Sequence, residues 1–225
     1  FPYTTLFRSY EDKITTFGHL LKAMKEDFRD DEILRQYLLH KVPKFCKDKD
    51  ATEFGKKVMD DLAECLGGQA NYRGGKFEPS LFAFYSYNWF KNVTIATADG
   101  RKSESALSRG VNPSESTENI NIAALLDAIK TMDYTKYPGG AVIYMDIPLM
   151  YKTPQPSLFA SVMRAFCENG GSIMDFNVIS RNALLEAQKN PETHKNIVVR
   201  VCGYSAYFHT LTAEMQNEVI QRTQR

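Results

Sequence analysis

From residue 120 onward the chain alternates between two apolar patterns, one spaced for a helix face and one a short continuous run. The spacing predicts a helix over 120–132, a strand over 141–147 and a helix over 157–168 ending at Gly170-Gly171. A strand over 173–179 follows, then a helix over 182–189 stopped by Asn190-Pro191, a strand over 197–201 and a last helix over 212–223. Short apolar strands separated by helices are joined by crossover connections, so the pattern predicts an α/β architecture.

Upstream of that region the periodicity is helical. Phe17, Leu20, Leu21, Met24 and Phe28, and then Leu34, Tyr37 and Leu38, fall on single faces of two amphipathic helices over 16–28 and 31–40, the second stopped by Pro43. A third helix over 51–66 aligns Phe54, Val58, Leu62 and Leu66 and ends at Gly67-Gly68, residues suited to a left-handed C-terminal cap. The aromatic run from Leu81 to Phe90 reads as a buried strand, its rings assigned to the core in preference to a substrate channel. Residues 94–116, which hold the turn-prone runs Ala98-Asp99-Gly100-Arg101 and Arg109-Gly110-Val111-Asn112-Pro113-Ser114, predict a long ordered loop.

Composition excludes several partners. With 28 basic and 27 acidic side chains the net charge is +1, which gives neither nucleic acid nor an anionic membrane an electrostatic handle. No apolar run approaches the about 18 residues of a membrane-spanning helix. Cys46, Cys65, Cys167 and Cys202 form no C-x-x-C pair and no zinc-spaced cluster with histidine, so the reading is reduced thiols in a cytoplasmic protein without a metal site. The first three are read as inert, buried thiols behaving as small hydrophobes. His19, His40, His194 and His209 are scattered without ligand spacing. The opening run Phe1 to Ser9 is similar to a translated sequencing adapter and is set aside, with the expectation that the natural protein begins further upstream.

The sharpest local signal is Ile197-Val198-Val199-Arg200-Val201-Cys202-Gly203-Tyr204-Ser205-Ala206-Tyr207-Phe208, an apolar strand running into a glycine turn with apolar and aromatic flanks. A glycine after a strand is wanted for a positive φ or for close packing. Arg200 lies in a predicted buried strand and therefore calls for a carboxylate or backbone partner. Asp99-Gly100-Arg101 reads either as a solvated turn with a surface pair or as a tie holding the long loop.

The run from Arg200 to Phe208 resembles the C-terminal signature of the glycyl radical enzymes, the pyruvate formate-lyase-like family. Glu186 to Glu192 precedes it, Met215 to Thr223 follows it, and agreement over about the last 55 residues includes Phe176-Asn177-Val178. Asn71 to Phe77, then Ala96 to Arg101 with Gly110 to Pro113, are similar to two further family signatures in the same order. The resemblance implies that Gly203 stores a radical, because removing a Cα hydrogen leaves a centre that flattens without a side-chain clash only at glycine. It also implies supporting roles for Arg200, Val201, Cys202, Tyr204, Ser205 and Phe208, with Val201, Tyr204 and Phe208 shielding the loop from water and oxygen. Cys202 stands where the family has another small residue and is read as packing. Asp99, Gly100 and Arg101 become a structural element near the active site.

By the same resemblance the fold is part of a ten-stranded α/β barrel with a helical N-terminal third. Residues 10–115 are expected to form the C-terminal part of the barrel domain and 116–225 the glycine radical domain. No bound cofactor is implied; a separate activating enzyme using S-adenosylmethionine and an iron-sulfur cluster installs the radical. A small-molecule substrate, the N-terminal remainder of the same enzyme and a homodimer complete the implied partners. The cysteine that receives the radical is expected outside this chain, so the chain alone is expected not to turn over. Gly140 to Pro148 departs from the substrate-proximal strand of dehydratase and choline-lyase members, and Ala98 replaces a common Pro. Substrate and subtype therefore stay open between dehydratase or lyase chemistry and formate acetyltransfer, with a lean to the lyases. Two alternatives compete: a free-standing spare part that repairs an oxygen-damaged enzyme, and a non-catalytic α/β binding module.

Overall fold

The computed structural model describes residues 14–114, 116–117, 122–147 and 156–223. The adapter-like segment, the predicted helix start at Ile120, and Pro148 lie outside the described residues.

The N-terminal third is helical, as its periodicity predicts. Helix α1 (Phe17–Lys25) starts where the Thr16 side chain accepts from the His19 N–H at 3.2 Å, which satisfies one of the amides a helix leaves unpaired at its start. Helix α2 (Glu32–His40) and helix α3 (Lys49–Leu66) follow, with Asp48 capping α3. Gly68 rather than Gly67 takes the left-handed conformation past α3. Leu20, Ala23, Phe28, Leu34, Leu38 and Val42 pack together and close over Ala96 and Ala98 of the long loop.

The aromatic run departs from its predicted strand. Leu81 makes a single parallel bridge to Ala141, Phe84 turns to a φ of 44°, and a short helix α4 (Ser86–Trp89) follows. The Ser86 hydroxyl bonds back to the Ala83 carbonyl, the local side-chain-to-backbone alternative that competes with a ladder. Of the six aromatic residues Tyr87 is buried, at 2%, and Phe82 and Tyr85 pack partly buried against the core around Val142 and Phe208, whereas Trp89 is 70% exposed, so the run is core only in part.

After helix α5 (Ile122–Lys130), strand β1 (Val142–Ile147), helix α6 (Pro156–Glu168) and strand β2 (Ile173–Val178) form the predicted β-α-β unit. The two strands pair in parallel, from Val142 opposite Ile173 to Ile147 opposite Val178. Successive side chains of a strand point to opposite faces. Ala141, Ile143 and Met145 accordingly enter one core with Ile129, Val162 and Phe166, while Val142 and Tyr144 enter a second core with Leu184, Val199, Val201 and Phe208. Burial on both faces explains why β1 reads as a continuous apolar run without alternation.

Helix α7 (Arg181–Lys189), capped by Ser180, leads to strand β3 (Val198–Arg200). The alternation predicts crossover connections, but none carries this strand into the β1–β2 pair. It pairs instead antiparallel with strand β4 (Ser205–Tyr207), with Val198 opposite Tyr207 and Arg200 opposite Ser205. The sequence predicts only a glycine turn there, because a strand of three residues is too short to show a period. Helix α8 (Ala213–Arg222), capped by Thr212, closes the described chain and buries Val219 and Ile220 against the second core.

The turn after α6 fits with little room to spare. A Cβ on Gly171 would fall 2.4 Å from the Phe166 ring, itself fully buried. We expect Gly171→Ala to destabilise the chain by about 1–3 kcal/mol through overpacking, read as a lower urea midpoint at unchanged slope.

Candidate functional site

The site centres on the turn that joins β3 to β4. Two apolar strands emerging from the second core must reverse within Val201 to Tyr204, and the Val201 N–H closes the turn on the Tyr204 carbonyl at 2.9 Å. Gly203 sits in that turn with a φ of 80°. That region favours glycine, since a side chain there crowds the following carbonyl. A Cβ at Gly203 would approach only the Phe82 ring, at 3.8 Å, so backbone conformation and not lack of space is what asks for glycine.

Four side chains from other elements hold the turn. Asp175 of β2, 5% exposed, accepts the Gly203 N–H at 3.1 Å on one carboxylate oxygen and the Arg200 Nε–H at 3.0 Å on the other. This is the carboxylate that Arg200 called for. Two residues along β2, the Asn177 amide accepts from the Arg200 N–H at 2.7 Å and donates to the Arg200 carbonyl at 2.9 Å. It thereby stands in for the peptide group of a neighbouring strand. Tyr144 of β1 lies 3.6 Å from the Cys202 thiol through its hydroxyl.

From the opposite side, buried Arg222 of α8 donates to the Val201 carbonyl at 2.9 Å, to the Tyr87 hydroxyl at 2.6 Å and to the Glu218 carboxylate at 2.7 Å and 2.5 Å. Tyr87 in turn donates to Glu218 at 2.7 Å. A buried charge is tolerated only when it is paired and its hydrogen bonds are met, and here the guanidinium meets them with a carboxylate, a phenol and the backbone of the turn.

The named residues divide by exposure. Val201, Cys202 and Phe208 are buried in the second core; Gly203, Tyr204 and Ser205 are exposed. The expected apolar shield over Gly203 is thus half realised within this chain, because Tyr204 turns outward at the tip of the hairpin. Burial pushes the Cys202 thiol up despite the Tyr144 hydroxyl beside it, in keeping with a packing role. Burial likewise pushes the Cys46 thiol up to about 12. Cys65 and Cys167 are exposed, contrary to the reading of both as buried small hydrophobes, because each lies on the solvent side of its helix.

The second group, Asp99-Gly100-Arg101, is not a solvated surface pair. Asp99 is buried and accepts from the hydroxyls of Thr97 at 2.5 Å, Ser114 at 2.6 Å and Ser116 at 2.5 Å. Burial works to raise its pKa, but these three donors and nearby Lys44 outweigh it and hold the carboxyl well below the usual range. Arg101 is buried as well and satisfies its guanidinium on the carbonyls of Ile95 at 2.7 Å, Lys102 at 2.8 Å and Ser105 at 2.6 Å. Arg35 of α2 reaches the Gly100 carbonyl at 3.0 Å. The loop is therefore tied internally and to the N-terminal helices, and Arg101 and Ser105 face Glu218 and Arg222 across one polar cleft.

Sequence reasoning assigns no role to Asp175, Asn177, Tyr144 or Arg222, although Asn177 and Arg222 lie in runs that carry the family resemblance. Two carried a usable signal. Asp175 is the one acidic residue within the apolar run of β2, and Arg222 lies four residues after Glu218 on the last helix.

Comparison with known proteins agrees with this geometry. The glycine radical family model matches residues 107–209, and the pyruvate formate lyase-like model matches residues 8–91. The chain is 28% identical to a trans-4-hydroxy-L-proline dehydratase of Clostridioides difficile, over 97% of the chain and 28% of that protein. It is 31% identical to an isethionate sulfite-lyase of Nitratidesulfovibrio vulgaris, over 95% of the chain and 26% of that protein. Among solved structures, one reporting 1,2-propanediol dehydration in Roseburia inulinivorans superposes with a TM-score of 0.88 at 27% identity, covering 99% of the chain and 29% of its own. A glycyl radical enzyme from Archaeoglobus fulgidus superposes with a TM-score of 0.85 at 28% identity, covering 98% of the chain and 29% of its own. These neighbours share an α/β barrel fold, and the chain described above is a part of it. It belongs to the glycyl radical enzymes. The chain spans about a quarter of the length of the curated relatives it matches. Its glycine radical region implies a radical on glycine installed by an activating enzyme. No helix among the described residues is long and apolar enough to cross a membrane.

The depressed pKa of Asp99 has a sign for stability. The contribution is present above the unfolded carboxylate range and is lost as pH falls through that range toward the folded value. We expect Asp99→Asn, which replaces one acceptor oxygen by a donor facing a hydroxyl, to cost about 1–3 kcal/mol at neutral pH and to flatten the acid limb of a stability-against-pH curve. Urea unfolding of both chains from pH 7 to pH 3 measures this.

Proposed function

We propose that Gly203 stores the radical of a glycyl radical enzyme and passes it to a cysteine that is not among Cys46, Cys65, Cys167 and Cys202. The observation that carries the reading is the placement of Gly203 itself: a glycine at positive φ on an accessible turn, inside the residues matched by the glycine radical model. An activating enzyme must reach the Cα hydrogen, and an exposed turn tip on a well-anchored hairpin gives it that access. An iron-sulfur enzyme using S-adenosylmethionine would remove the hydrogen atom, leaving an unpaired electron on Cα that is delocalised onto the amide nitrogen and the neighbouring carbonyl group. The protein's task is then to hold that peptide plane and exclude side reactions.

Val201, Cys202 and Phe208 anchor the base of the turn in the core, Arg200 and Ser205 pair across its neck, and Tyr204 borders the glycine. Asp99, Gly100 and Arg101 hold the long loop against the N-terminal helices. Residues 10–115 are assigned to the barrel part and 116–225 to the glycine radical part. The names of the relatives, a dehydratase and a sulfite-lyase, favour lyase chemistry on a small molecule over acetyl transfer. The matches at both 8–91 and 107–209 favour a part of a longer enzyme over a spare part confined to the radical region. On this reading it works with its N-terminal remainder, as a homodimer.

The test is to treat the chain anaerobically with an activating enzyme and S-adenosylmethionine, record the electron paramagnetic resonance spectrum, then admit air. We expect a doublet signal followed by backbone cleavage at Gly203. Gly203→Ala should fold, since the added methyl finds room and the left-handed strain is only about 1–2 kcal/mol, yet give neither signal nor cleavage. A doublet that survives in Gly203→Ala would sink the assignment.

A further inference from the structure

Asp175 does two jobs at once, and neither is explained by packing. A carboxylate buried to 5% exposure in the middle of an apolar strand is costly unless both oxygens are met. Here one oxygen meets the Arg200 Nε–H at 3.0 Å and the other meets the Gly203 N–H at 3.1 Å. The Arg200 backbone is fixed separately by both ends of the Asn177 amide, so the guanidinium is not needed to register β3 beside β2. Arg200 keeps 34% of its side chain exposed, so its cation is partly solvated and does not itself require Asp175 for burial. What remains is an oriented carboxylate, held in one rotamer by a cation, whose free oxygen is aimed at the amide of the glycine.

We propose that Asp175 is the positioning residue of the Gly203 turn, and that Arg200 acts by orienting Asp175. This rests on the reading of Gly203 as the radical glycine. Accepting the Gly203 N–H fixes the plane of the peptide between Cys202 and Gly203, which together with the φ of 80° sets the direction in which the Cα–H bonds of Gly203 project. The same hydrogen bond places negative charge beside the nitrogen over which an unpaired electron at Cα is shared, a place where a charge-assisted bond is stronger than a neutral one. The Val201 carbonyl is held from the other side by Arg222 at 2.9 Å, so the turn is gripped on both flanks of Cys202 and its tip stays open.

The geometry makes a specific demand that a merely structural residue would not make. In Asp175→Asn the Arg200 cation attracts the amide oxygen, which leaves the NH2 group facing the Gly203 N–H, donor against donor. In Asp175→Asn combined with Arg200→Met the cation is gone, and the amide is free to turn its oxygen to Gly203. The double variant should therefore recover what the single variant loses, although it is further from the native sequence.

Two measurements on the full chain test this. The first is hydrogen exchange at the Gly203 amide, which needs no radical. We expect about tenfold faster exchange in Asp175→Asn than in the native chain, with most of the protection restored in the double variant. The second is the amplitude and splitting of the glycyl doublet after anaerobic activation, expected to fall in the single variant and recover in the double. Unchanged Gly203 exchange in Asp175→Asn, or a double variant no better than the single in exchange, overturns the positioning role. If the native chain gives no doublet while exchange follows the expected order, the positioning role of Asp175 stands as a feature of the turn and the radical assignment of Gly203 fails.

Discussion

Strand β1 carries the structure because it is buried on both faces. Its odd and even side chains fill two separate cores, one built with α5 and α6 and the other with α7, α8 and the β3–β4 hairpin. Its edges are also occupied. One is paired with β2, and along the other the long loop supplies the Val111 N–H to the Val142 carbonyl at 2.9 Å and the Asn112 amide to both backbone groups of Tyr144. Val142 and Tyr144 thus have their backbone groups on that edge met, and the strand transmits the position of each layer to the next. The glycine turn inherits its rigidity from this arrangement, since Tyr144 of β1 and Asp175 of β2 both reach it.

Four buried charged side chains are met in the same way. Asp99, Arg101, Asp175 and Arg222 are all buried, and each ends on backbone groups of a loop or turn as well as on side chains. Loops carry peptide groups that no helix or ladder satisfies, and a buried ionic side chain offers them strong, directional partners. The stretch 94–117 contains no helix or strand among its described residues, yet it is held by such bonds at many points. Order in this region comes from side-chain-to-backbone bonds, and that is why Ser114, Ser116 and Thr97 matter to a loop whose apolar content is low.

Much of the architecture was legible beforehand. The helices α1 to α3, the β1-α6-β2 unit and the last helix each announce themselves by period and cap, because those signals are local: a hydroxyl or carboxylate at the start, glycine or proline at the end. The aromatic run from Leu81 to Phe90 was misread for the complementary reason. Aromatic side chains favour strands when a pleated, half-buried surface awaits them, and propensity cannot report whether that surface is there. The pairing of β3 with β4 in preference to β2 was hidden likewise, since which edge a short strand joins depends on what already occupies it.

At the site, the sequence by itself determined that residue 203 is a glycine flanked by apolar strands, that Arg200 requires a counterpart, and that the surrounding motifs belong to the glycyl radical enzymes. Those statements follow from residue chemistry and order along the chain. Only the tertiary structure decided that the counterpart is Asp175, that the same carboxylate reaches the Gly203 amide, and that Arg222 holds the turn from behind. Asp175 lies 28 residues from Gly203 and Tyr87 lies 135 from Arg222, and groups that far apart in sequence meet only where packing of the two cores brings their elements together.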